Sequence, residues 1–119
     1  MFEQDWWIRI GTGSQARLGT LLTPTWTQPA GNVVQATFTG SGINATATYS
    51  ILGGVAGSNT ADIAEQLLVN TGGQAVTIYQ YVDFDLGNTI YDDSAALVNA
   101  NTIKQWDPLW IMQEVVIPT

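Results

Sequence analysis

The sequence contains no cysteine and no histidine, and only three of its 119 residues are lysine or arginine. Without cysteine there is no disulfide, no thiol nucleophile and no thiolate-bound zinc or iron–sulfur centre. Without histidine, Ser-His triads and imidazole-based metal sites are excluded as well. Three basic residues against ten acidic ones give a net charge of −7, which leaves no basic footprint for a nucleic-acid backbone. Charge of either sign is scarce: 11% of residues carry one, less than half the ~25% of an ordinary globular chain. No apolar run approaches the roughly 20 residues that cross a bilayer as a helix.

Apolar material is plentiful in shorter pieces. The chain is 45% hydrophobic, with five Trp, four Tyr and three Phe, enough to bury a core and to argue against disorder. Thr, Asn, Gln, Ser and Gly carry most of the polarity. Thr and the aromatics fit a pleated surface while Gly and Asn fit turns, so the composition predicts many short strands. The expected fold is an all-β antiparallel sandwich of two packed sheets with ~8 short strands, in a single domain over residues 1–119. Few Lys and Glu with many Asn and Thr is the look of secreted microbial proteins, which points to an extracellular or cell-surface location. The opening Met1-Phe2-Glu3-Gln4-Asp5 is acidic where a signal peptide is basic, so the expectation is a mature or trimmed chain.

Alternation places the strands. Trp6, Ile8 and Ile10 alternate with Trp7 and Arg9 before a Gly-rich turn, and residues 17–22 read as a second strand. Residues 24–32, bracketed by Pro24 and Pro29, read as loop. Residues 33–39 and 45–51 alternate cleanly around Gly40-Ser41-Gly42 and predict an antiparallel pair. Residues 60–68 suit a capped helix or a strand. The short turn at Asn70-Thr71-Gly72-Gly73-Gln74 favours a strand from about Glu65 onward, although Glu65 interrupts the apolar face of Ile63, Leu67 and Val69. Residues 76–86 form the longest strand, with Val76, Ile78, Val82, Phe84 and Leu86 on one face. Residues 89–91, 95–98, 102–106 and 109–117 supply further strands. The last is an apolar run needing partners on both sides, from within the sheet or from another copy.

The opposite face of residues 76–86 carries the best candidate site. Asp83 and Asp85, two apart on a strand, leave the same face roughly 7 Å apart. Asp92 and Asp93 lie across the Gly87-Asn88 turn. Four carboxylates of this kind suit a hard cation such as Ca²⁺, although the spacing is not that of an EF-hand and a solvated strand end is the commoner source of such a pattern. Two carboxylates at that distance also suit the acid and base of a glycosidase, but paired Asp residues are too common to specify one, and no Arg or His stands by to tune them. Lys104, the single lysine, is the only amine base for a Ser or Thr nucleophile. The chain is therefore expected not to be an enzyme. Trp26, Tyr79 and Tyr81 are candidate ligand contacts, because an exposed ring matches the apolar face of a sugar. The alternation instead assigns Trp6 and Trp110 to the core. Asn44-Ala45-Thr46 is a glycosylation triplet of a kind that chance often produces.

Residues 63–86, from Ile63-Ala64-Glu65-Gln66-Leu67-Leu68-Val69-Asn70-Thr71-Gly72 through Tyr79-Gln80-Tyr81-Val82-Asp83-Phe84-Asp85-Leu86, resemble β-sandwich modules of secreted bacterial surface proteins of the PEP-CTERM type. In those, a strand ending in Asn-Thr-x-Gly precedes a long aromatic strand ending near Asp-Phe-Asp. The resemblance covers about a fifth of the chain and implies an extracellular, non-catalytic, structural role without catalytic residues to carry over. The final Val116-Ile117-Pro118-Thr119 carries neither the apolar helix nor the basic tail of a sorting signal. The expected function is a self-assembling structural module that pairs strands at open sheet edges, as a homo-oligomer or filament. The alternative is a carbohydrate-binding module taking a polysaccharide, with Ca²⁺ as its candidate metal and no other cofactor.

Overall fold

Period-2 alternation becomes strand along most of the chain. The computed structural model describes residues 2–53, 62–84, 86 and 93–117. In chain order the elements are β1 (Phe2–Ile10), β2 (Ala16–Arg17), α1 (Leu18–Leu21), β3 (Thr25–Ala30), β4 (Val33–Gly40), β5 (Ile43–Gly53), β6 (Asp62–Asn70), β7 (Val76–Phe84), β8 (Ser94–Asn99), β9 (Thr102–Trp106) and β10 (Ile111–Val115). The fold is all-β, as the composition predicts. Its strands form three antiparallel sheets, ordered β3-β4-β5-β6, β2-β1-β7 and β10-β9-β8.

The chain divides into two compact units, Trp6–Tyr79 and Met1–Asp5 with Gln80–Thr119. In the first, β4 and β5 pair with Ala36 opposite Ala47 and Phe38 opposite Ala45. These four side chains are buried together with Ile8, Leu18, Leu22 and Ile43. Trp6, Ile10, Tyr49, Leu67, Val69 and Val76 pack around them. The three alanines are fully enclosed, so this face of the sheet is flat enough for large rings and aliphatic chains to reach it. The opposite face of the same strands carries Thr37, Thr46 and Thr48, the polar half of the alternation.

The β4–β5 hairpin closes through Ser41 and Gly42, with φ of 52° and 74°. Two central residues at positive φ define a type I′ turn, whose twist matches that of the flanking strands. A Cβ at Gly42 would meet Gln74 Nε2, which donates to the Ser41 carbonyl at 3.2 Å. Glycine is favoured there by its positive φ, while a Cβ would only push aside the end of the exposed Gln74 side chain.

Residues 60–68, which suit either helix or strand, enter the β5–β6 pair: β6 runs antiparallel to β5 with Tyr49 opposite Glu65 and Ala47 opposite Leu67. Two expectations are corrected. Residues 17–22 are not a strand: Arg17 ends the two-residue β2, and one helical turn follows, in which Leu22 N donates to the Leu18 carbonyl at 2.9 Å. A helical turn brings residues four apart to one side, and Leu18 and Leu22 are both buried, which a strand does equally by alternation. Within residues 24–32, Thr25–Ala30 are not loop but the edge strand β3. It pairs with β4 through Thr25, Trp26 and Thr27 and again at Ala30, with a register shift between. Pro29 falls inside that shift, where a missing N–H removes no ladder hydrogen bond.

Candidate association edge and ligand cleft

In the second unit the last three strands form one sheet, and the unit's side chains are far less enclosed. β9 pairs with β8 on one side, Ala95 opposite Gln105 and Leu97 opposite Ile103. On the other side it pairs with β10, Met112 opposite Gln105 and Glu114 opposite Ile103. Side chains hold the turns. Asn101 N donates to Asn99 Oδ1 at 2.9 Å. The Asp107 carboxylate accepts from Leu109 N at 2.7 Å and from Trp110 N as well. Among the described residues of this unit, only Thr102 and Asp107 are buried, and both are polar.

Its exposed apolar side chains concentrate at the edges. All six residues of β8 are exposed, with Leu97 70% and Val98 56% accessible. β8 carries no charged residue and no proline, the two devices that most often blunt a sheet edge. Val98 sits at the register shift between Leu97 and Asn99. Along the opposite edge, Ile111 and Val115 of β10 are exposed, as are Leu109, Trp110, Val116 and Ile117 beside it. Trp110 is thus not a core residue, which corrects the expectation. It belongs to the Asp107 turn that precedes β10, where its backbone is engaged and its ring is left outside.

Residues 80–82 of β7 face Ile103 and Gln105 of β9 and Met112 and Glu114 of β10 across a cleft of about 230 Å³, with Val116 at its margin. Glu114 is half-buried opposite Ile103, and burial pushes its carboxyl above the ordinary glutamate value. Tyr81 Oη donates to Asp83 Oδ2 at 3.4 Å. The Asp83 charge, foremost, raises the Tyr81 phenol above its usual range; slight desolvation, that hydrogen bond and the Glu3 charge add to it.

Trp26 is 59% exposed on the edge strand β3, whereas Tyr79 lies on β7, in another sheet. Tyr81 is exposed and lines the cleft. Asp93 Oδ2 accepts from Leu86 N at 3.3 Å, and its Oδ1 is buried without a hydrogen-bond partner. Asp85 and Asp92 lie outside the described residues. Among the described residues, no three metal-ligating side chains converge, and no helix is long and apolar enough to cross a membrane. The cleft residues Ile103, Gln105, Met112 and Glu114 escape sequence reasoning, because their alternation in residues 102–106 and 111–115 reads as ordinary strand.

Comparison with protein-family models, curated proteins and solved structures finds no match to the chain.

Proposed function

We propose that the protein is a non-catalytic structural module of an extracellular or cell-surface setting, which associates with copies of itself by strand pairing at open sheet edges. The observation carrying this reading is β8, an uncharged, proline-free strand with all six residues exposed, which among the described residues lies at the end of its sheet. A strand in that position presents backbone donors and acceptors that another strand can satisfy. The partner we favour is a second copy, because the same sheet ends on its other side in β10, also rich in exposed apolar side chains. Pairing β8 of one copy with β10 of the next is a heterologous contact, which closes into a ring or continues as a filament.

Light scattering on the purified protein over rising concentration tests this. The expected result is concentration-dependent growth in mass that Leu97→Lys suppresses without changing the far-UV circular dichroism, since a lysine on an edge strand discourages strand addition. A wild-type protein that stays monomeric throughout would overturn the proposal.

The exposed ring of Trp26 favours a second reading, polysaccharide binding with Ca²⁺ as a candidate metal. A glycan array with and without chelator addresses it. Binding lost in Trp26→Ala supports the sugar, and loss on chelation supports the metal. An array silent in both conditions removes the reading.

A further inference from the structure

The cleft between β7, β9 and β10 has a chemistry that strand pairing does not use. Ile103, Met112 and Val116 give it an apolar wall, and the Tyr81 ring stands at one side. Glu114 brings a carboxylate into it, half-buried opposite Ile103. The charged groups that raise the Tyr81 phenol are Asp83 and Glu3, both acidic. The single lysine, Lys104, pairs in register with Gln113 and Ala96, one residue along β9 from Ile103 and so on the other face of the sheet.

We propose that this cleft binds a primary alkylammonium group, with the Glu114 carboxylate as its counter-ion. The ammonium donates to Glu114 as a charge-assisted hydrogen bond, and the Tyr81 ring face offers a cation–π contact. The aliphatic chain lies against Ile103, Met112 and Val116. A cleft of about 230 Å³ has room for a short alkyl chain with its nitrogen. The net charge of −7 draws cations toward the protein. Burial of Glu114 without a cation is unfavourable for its charged form, and a bound ammonium relieves that cost.

Isothermal titration of the full chain with pentylammonium, and separately with 1-pentanol, tests the proposal, since the two differ in the charged head alone. Pentylammonium is expected to bind and pentanol to bind at least tenfold more weakly. Glu114→Gln is expected to weaken pentylammonium by roughly ten- to a hundredfold while keeping the wild-type circular dichroism. N-acetyl-lysine methylamide separates the sources of the ammonium: tight binding assigns the site to a polypeptide lysine, and weak binding beside tight pentylammonium assigns it to a free amine. Equal binding of pentanol and pentylammonium would overturn the proposal even if Glu114→Gln does not fold. So would displacement of pentylammonium by an equimolar concentration of Ca²⁺, or unchanged affinity in a folded Glu114→Gln.

Discussion

Removing the Glu65 carboxylate leaves the Trp6 indole N–H, which donates to it at 2.8 Å, without its acceptor at the margin of the core. Glu65→Ala is therefore expected to lower stability by about 1–3 kcal/mol in urea unfolding followed by Trp fluorescence, with Glu65→Gln recovering most of the loss because its amide oxygen still accepts. In the sequence Glu65 reads as a flaw in an apolar face, because periodicity shows which side a residue faces and not what waits there. The partner is 59 residues away, beyond any local signal. Glu114 presents the same limit. Its alternation with Met112 is visible, but the enclosure that raises its carboxyl above the ordinary value is not. Because the folded state holds that proton more tightly than the unfolded chain, the group favours folding most below the ordinary glutamate value. That contribution is lost as pH rises through the window up to the raised folded value. The urea midpoint of Glu114→Gln, measured relative to wild type, is expected to rise as pH is raised from below the ordinary glutamate value upward through the raised folded one. A difference that is flat or falls over this range contradicts the burial.

Elements were legible where pattern and turn agreed. Residues 33–51 carry strict alternation on both sides of a Gly-bearing tight turn, and they fold as the central hairpin. The turn itself leaves room for improvement. Ser41 holds a φ of 52°, which asparagine tolerates better, and Asn-Gly is the preferred pair of a type I′ turn. Ser41→Asn is expected to stabilise the protein by a few tenths to about 1 kcal/mol, read as a higher urea midpoint at unchanged slope. Residues 24–32 were illegible for the opposite reason. Two prolines mark a loop in most contexts, yet β4 offers an edge to pair with, and Pro29 sits where the register slips. α1 was hidden by its brevity: spacing two or four positions apart cannot tell one helical turn from a strand that buries every second residue.

Across the whole molecule, the buried apolar side chains among the described residues all belong to Trp6–Tyr79, while the unit containing β8, β9 and β10 buries only Thr102 and Asp107. Few buried apolar contacts mean a low free energy of local opening. Backbone amides of β8–β10 are thus expected to exchange with deuterium faster than those of β4 and β5. If copies associate through these edges, protection there should grow with protein concentration while that of β4 and β5 stays constant, as mass action requires of anything that binds the folded form alone. Concentration-independent exchange in β8 and β10 would separate their stability from any partner. The few cations have a bearing on the same question. Lys104 lies over the Trp106 ring at 5.1 Å and Arg17 over Trp7 at 5.8 Å, while Arg9 donates to Thr77 at 3.1 Å. Each is engaged within its own copy, so two copies meet as bodies of net charge −7 and repel. Added salt shortens the reach of that repulsion, from about 30 Å at 0.01 M to about 8 Å at physiological ionic strength. If the copies associate as proposed, ionic strength controls it: association is expected to be weaker in dilute buffer than in ordinary saline.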